Sequence, residues 1–158
     1  MIEVTIPGRE PLVLTHALFD LNGTLALDGR VADAVADALG RLRTHVDCAV
    51  LSADTHGTLA AVAASLGVRA VRVASGAEKA AHVAALRHAA AEPVAVAAVG
   101  NGRNDVPMFR AADLAIAVLG GEGLAADALS AADLVAASGI DAIGLLLHPT
   151  RLTATLRP

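Results

Sequence analysis

From about residue 16 onward the chain alternates short apolar runs with Ala-rich helical stretches, and this alternation constrains the fold more than any other feature. His16–Phe19, Cys48–Leu51, Ala70–Val73 and Val94–Val99 read as buried strands, with Leu114–Val118 and Asp133–Val135 as shorter ones. Between them, Val31–Thr44, Thr55–Leu66, Glu78–Ala90, Val106–Arg110 and Leu124–Leu129 read as helices. Such alternation with short connections predicts a Rossmann-like α/β fold, in which helices cover both faces of a central parallel sheet. Ahead of this core, Ile2–Ile6 and Leu12–Leu14 flank Pro7-Gly8-Arg9-Glu10-Pro11 and read as an edge β-hairpin. Behind it, Ile140–Leu147 and a stretch around Thr150–Leu156 read as helices separated by Pro149. The expected organisation is a single domain over residues 1–158, with the hairpin in 1–15, the core in 16–136 and a helical segment in 137–158.

Composition narrows the partners. Aromatic residues make up 1% of the chain, so Ala, Val and Leu must build the core. Single-stranded nucleic acid is held by aromatic platforms in a basic groove, and the sequence offers neither. A formal net charge of −4 further disfavours a polyanionic partner. Hydrophobic residues reach 55%, yet charged residues, His or Gly interrupt every apolar run before it attains membrane-spanning length. The N-terminus lacks the basic start and apolar run of a signal peptide, and the single Cys48 excludes an internal disulfide. A cytoplasmic protein with neither nucleic acid nor membrane as partner is expected.

In an open α/β sheet, ligands bind beyond the carboxyl ends of the strands, where strand order reverses. Four polar segments follow the core strands: Asp20-Leu21-Asn22-Gly23-Thr24, Ser52-Ala53-Asp54-Thr55, Lys79, and Gly100-Asn101-Gly102-Arg103-Asn104-Asp105. Together they bring a carboxylate, a hydroxyl, a cation and a second carboxylate to one rim. Those are the parts for phosphoryl transfer. Asp20 can attack phosphorus, Asp20 and Asp105 can hold Mg²⁺, and Ser52 and Lys79 can bind phosphoryl oxygens. The metal offsets the repulsion between an attacking carboxylate and a phosphate.

Taken singly, these segments have plainer readings. Asn22-Gly23 between apolar runs is also a hairpin-turn signal. As a calcium loop the first segment fails, because its Gly comes too early and Val31 stands where the closing Glu belongs. Gly100-Asn101-Gly102 with Glu122 downstream resembles a dinucleotide fingerprint, but Asp105 replaces its third Gly and would repel pyrophosphate. Ser52 alone reads as a turn or cap residue, Lys79 alone as a solvated lysine, and His56 as a loop histidine that overhangs the site only as an accessory. Order and placement lift the set above its members.

That set resembles the haloacid dehalogenase (HAD) superfamily over nearly the whole chain. Phe19 to Thr24 looks like its first motif, led by the nucleophilic Asp that becomes an aspartyl-phosphate. Val50-Leu51-Ser52 looks like the second, Lys79 the third, and Gly100 to Asp105 the metal-binding fourth. Asp20-Leu21-Asn22-Gly23-Thr24, Gly100 to Asp105 and the ending Leu147-His148-Pro149-Thr150-Arg151-Leu152 look most like the group labelled soluble P-type ATPases. The resemblance implies a phosphorylated substrate, Mg²⁺ as cofactor and a catalytic set of Asp20, Asn22 and Lys79. It implies phosphate binding by Thr24, Ser52, Ala53 and Lys79, and metal binding by Asp20, Asn22, Asp105 and Asn101, with Asn104 as an accessory.

Three departures qualify this. The residue two after the nucleophile is usually an Asp that protonates the leaving group; here it is Asn22, which cannot shuttle a proton. Asn101 stands where many members place another carboxylate. No segment is long enough for a cap domain, and the sparsely charged helices point to a homo-oligomer. The expected function is therefore a slow Mg²⁺-dependent HAD-type phosphohydrolase acting through Asp20. The alternative is a binding or regulatory module that keeps the fold with little or no turnover.

Overall fold

The computed structural model of the chain describes residues 1–54 and 57–158. Its strands are β1 (Ile2–Val4), β2 (Leu12–Leu14), β3 (His16–Asp20), β4 (Ala26–Leu27), β5 (Arg30–Val31), β6 (Asp47–Ser52), β7 (Arg69–Arg72), β8 (Val96–Gly100), β9 (Leu114–Val118) and β10 (Leu134–Ala136). Its helices are α1 (Asp33–Leu42), α2 (Leu59–Leu66), α3 (Gly76–Ala89), α4 (Val106–Ala111), α5 (Ala126–Ala131), α6 (Gly139–Leu147) and α7 (Pro149–Leu156). A short 3₁₀ turn, Arg103–Asp105, leads into α4.

Six strands form one parallel sheet in the order β10-β9-β8-β3-β6-β7. The chain first builds outward from β3 through β6 to β7. Helix α3 then returns it to β8 on the other side of β3, and β9 and β10 continue outward. Strand order therefore reverses between β3 and β8, which opens a crevice above Asp20 and Gly100.

Side-chain alternation explains why the central strands read as unbroken apolar runs. Ala17 and Phe19, Cys48 and Val50, and Ala97 and Val99 face one side, against apolar residues of α1, α2, α6, α7 and the β1–β2 hairpin. Leu18, Ala49, Leu51, Val96 and Ala98 face the other, against α3, α4 and α5. Buried on both faces, such strands cannot alternate with polar residues. Both phenylalanines, Phe19 and Phe109, are buried, and small Ala side chains let helices approach the sheet closely. Cys48 lies in this core, where burial pushes its thiol up to about 12.

Several boundaries differ from the expectation, each for a local reason. The N-terminal strands pair antiparallel only with each other, forming a separate two-stranded sheet rather than an edge of the main one. The helix expected from Val31 begins at Asp33, because Arg30 and Val31 pair with Ala26 and Leu27 in a second hairpin. Helix α2 starts at Leu59, whose N–H donates to Asp54 Oδ1 at 2.8 Å. Helix α3 starts earlier, at Gly76, because Ser75 Oγ accepts from Glu78 N at 3.3 Å. Helices α6 and α7 meet at His148, immediately before Pro149. Among the described residues no helix is long and apolar enough to cross a membrane.

Candidate active site

Asp20 closes β3 at the switch point and is buried apart from about 7% of its surface. Beyond it the chain folds back at once, as Leu25 N and Ala26 N both donate to Leu21 O at 3.0 and 2.8 Å. Gly23 makes this turn with φ +76°, and a Cβ there would collide with the Asn101 carboxamide. A glycine is therefore required on two separate grounds.

Lys79 reaches Asp20 from α3. The Ser75 cap, together with Glu78 Oε2 accepting Ala74 N at 2.8 Å, fixes the first turn of that helix. The Lys79 ammonium then lies 2.5 Å from Asp20 Oδ1 and 2.6 Å from Asp105 Oδ1. Asp105 is fully buried, and its second oxygen accepts the amides of Asn101 and Gly102, both at 2.9 Å. One carboxylate thus anchors the lysine and shapes the loop after β8.

The charges in this cluster set its protonation. Burial, then the negative charge of Asp105, raises Asp20 to about 6, with Lys79 opposing both. Burial alone would lower Lys79, but the two carboxylates outweigh it and hold the ammonium above its ordinary value. The lysine is therefore charged at neutral pH, and Asp20 is largely ionised.

Beside the cluster opens a cavity of about 270 Å³ lined by Asp20, Asn22, Ser52, Ala53, Asn101, Gly102 and Asn104. All four strand-end segments thus converge, as their spacing implies. Ser52 is buried, with its Oγ accepting Asp54 N at 3.1 Å, while Ala53 and Asn104 are exposed. Three residues are placed differently from the rest: Lys79 does not line the cavity but bonds Asp20 beside it. Asp105 does not line the cavity but stands behind Lys79. Thr24 is also outside it, and its hydroxyl donates to Asn101 Oδ1 at 3.1 Å. His56 and Thr55 lie outside the described residues.

A divalent cation fits this donor set. Asp20, Asn22, Ser52, Asn101 and Asn104 bring side-chain oxygens to the cavity, and no thiol or imidazole lines it among the described residues, which suits a hard cation rather than zinc. The Asn22 carboxamide oxygen is buried without a hydrogen-bond partner among the described residues. Among those residues no group of three or more His, Cys, Asp or Glu gathers to hold a metal, so a cation held here would take its other ligands from neutral oxygens.

Sequence reasoning missed the β4–β5 hairpin and the loop 119–125, which stand on the same rim. The hairpin turns at Asp28-Gly29, with φ of +50° and +75°, and Asp-Gly between short apolar runs was the signal for it. Glu122 Oε1 accepts Asp28 N at 3.0 Å, and Gly123 O accepts Asn101 Nδ2 at 3.0 Å.

The fold and site together define a capless α/β domain built around an Asp–Lys–Asp cluster. No family model matches the chain. An uncharacterized protein of Methanocaldococcus jannaschii is 42% identical over 62 residues, which is 39% of this chain and 67% of that protein. A probable cation-transporting ATPase of Mycobacterium bovis is 39% identical over 108 residues, which is 67% of this chain but only 14% of the transporter. Among solved structures, a hydrolase assigned to the HAD family from Streptomyces avermitilis superposes with a TM-score of 0.66 at 21% identity, covering 83% of this chain and 81% of that one. The 3-deoxy-D-manno-octulosonate 8-phosphate phosphatase from Moraxella catarrhalis superposes with a TM-score of 0.73 at 15% identity, covering 90% and 91%. The chain therefore shares the fold of the HAD-family hydrolase and the phosphatase on which it superposes.

Proposed function

We propose that this chain is a slow, Mg²⁺-dependent phosphohydrolase that passes a phosphoryl group through Asp20. The observation that carries the reading is the Asp20–Lys79–Asp105 cluster, whose Asp20 borders a polar cavity at the topological switch point. The Moraxella phosphatase, which shares the fold, was solved with a magnesium ion, a phosphate ion and its sugar acid, and this supports a small phosphorylated substrate.

In this reading an Asp20 carboxylate oxygen bonds to phosphorus as the bond to the leaving oxygen breaks, giving an aspartyl-phosphate and an alkoxide or carboxylate that takes its proton from water. Water then attacks that phosphorus, returning the carboxylate and releasing inorganic phosphate. Lys79 remains charged throughout and neutralises the oxygens that crowd Asp20. The Ser52 hydroxyl and the Ala53 N–H orient the phosphoryl group. Asp105 acts from behind, holding Lys79 and the loop after β8. Asp20 and Asn22 would hold the magnesium ion, which supplies the positive charge that a carboxylate–phosphate encounter requires. One carboxylate with neutral oxygens makes a weak site that substrate phosphate helps to complete.

Asn22 sets the pace. It stands beside the reacting atoms with no proton to give or take, and loss of a general acid or base costs roughly 10²–10⁴-fold in rate. The same residue favours the second reading, an anion-binding module without useful turnover. Release of inorganic phosphate from acetyl phosphate and p-nitrophenyl phosphate separates the two. The phosphohydrolase reading expects Mg²⁺-dependent release by the wild type and none by Asp20→Asn; equal release by both would remove Asp20 from the reaction.

A further inference from the structure

The Asn101 carboxamide is oriented by chemistry as well as by placement. Gly123 O can only accept, so the amide nitrogen must face it, at 3.0 Å. The carboxamide oxygen is then left for the Thr24 hydroxyl, at 3.1 Å. The Asn101 backbone carbonyl accepts a further bond from Ala125 N at 2.9 Å. One residue after β8 therefore holds both the turn that follows the nucleophile and the loop that follows β9.

That loop is itself fastened to the β4–β5 hairpin. Glu122 Oε1 accepts Asp28 N at 3.0 Å, and a Cβ on Gly121 would meet Leu27 at 2.8 Å. A Cβ on Gly120 would meet the backbone oxygen of Gly23 at 2.9 Å. The turn at Gly23-Thr24, the hairpin that adjoins it and the distant loop 119–125 thus lie in close contact on one rim, with Asn101 bonded to the turn and to the loop.

We propose that Asn101 is a positioning residue, not a metal ligand: it clasps loop 119–125, and through it the β4–β5 hairpin, to the nucleophile loop. In a site without a cap, these segments form the wall that a leaving group meets. A carboxylate at position 101 would turn an acceptor toward the Gly123 carbonyl, two lone-pair oxygens about 3.0 Å apart, and open the clasp. The structure thereby accounts for an amide at this position. The kinetic and Mg²⁺-binding arms of the test rest on the phosphohydrolase reading; the exchange arm does not.

Asn101→Ala and Asn101→Asp test the clasp by amide hydrogen exchange, Mg²⁺ titration calorimetry and kinetics. Loss of one or two such bonds is expected to speed exchange about tenfold across 119–125 in both variants, with β3 and β8 unchanged. The affinity of Asn101→Ala for Mg²⁺ alone is expected to stay within about threefold of wild type, since no ligand has been removed. For p-nitrophenyl phosphate, KM is expected to rise about fivefold in Asn101→Ala, with kcat changed by less than about twofold. Glu122→Ala, a change at an exposed side chain, is expected to speed exchange of the hairpin 26–31. Unchanged exchange in 119–125, or a tenfold loss of Mg²⁺ affinity in Asn101→Ala, overturns the proposal. Unchanged hairpin exchange in Glu122→Ala does so even if the Asn101 variants fail to fold. A wild type that releases no phosphate sinks the phosphohydrolase reading alone, and the exchange arm still decides the clasp.

Discussion

Lys79 donates to Asp105 at 2.6 Å where neither side chain reaches solvent, and the same ammonium bonds Asp20 at 2.5 Å. A buried cation shared by two carboxylates is stable only while all three are present. Lys79→Met leaves two carboxylates facing each other without a counter-charge. The expected cost is about 3–5 kcal/mol, measured by urea denaturation at pH 7.5 without metal. A loss below about 1 kcal/mol would mean that the cluster is open to water.

Asn22→Asp supplies the proton carrier that the wild type lacks. Phosphate release from p-nitrophenyl phosphate should rise by about 10²-fold or more, with Mg²⁺ still required. No rise on any small phosphate ester would mean that Asn22 does not limit turnover.

Protonation of Asp20 links pH to metal binding. Its raised value of about 6 means that a proton must leave before a cation binds below that pH. Apparent Mg²⁺ affinity is therefore expected to be nearly flat from pH 7 to 8 and to fall toward about tenfold per unit well below pH 6. The stability of the metal-free protein runs the opposite way. A carboxyl group whose folded pKa lies above its unfolded one contributes stability in acid, which is lost as pH rises through about 6. Thermal unfolding at pH 5 and 7.5, with and without Mg²⁺, checks both: added metal should stabilise more at pH 7.5.

Gly23→Ala should disable the site without dismantling the sheet. The positive φ alone costs roughly 1–2 kcal/mol for a residue with a Cβ. The collision with Asn101 adds to it and pushes the loop after β3 away from the end of β8. Reduced stability with lost phosphate release is expected by thermal melting and activity assay; a fully active variant would contradict the packing described here.

How much of this was legible in the sequence follows from the physics of each element. The buried strands β3, β6, β8 and β9 announce themselves because both faces are covered, so their residues are uniformly apolar and each ends abruptly in polar ones. The four segments of the site were legible for the same reason. The β4–β5 hairpin was not. Its strands are two residues each, and Asn22-Gly23 offered a competing turn signal a few residues earlier. Lys79 carried no mark of burial, since only the sheet order brings Asp20 and Asp105, 59 and 26 residues away in sequence, to its side. The partners of Asn101 were equally hidden, because its bonds run to a hydroxyl 77 residues before it and a carbonyl 22 residues after.

The central claim is that Asp20 accepts a phosphoryl group, and intact-protein mass spectrometry after incubation with Mg²⁺ and acetyl phosphate, or with BeF₃⁻ as a trappable mimic, tests it most directly. A single adduct on the wild type that disappears in Asp20→Asn is expected. No adduct under either condition, or one that persists in Asp20→Asn, would contradict the account.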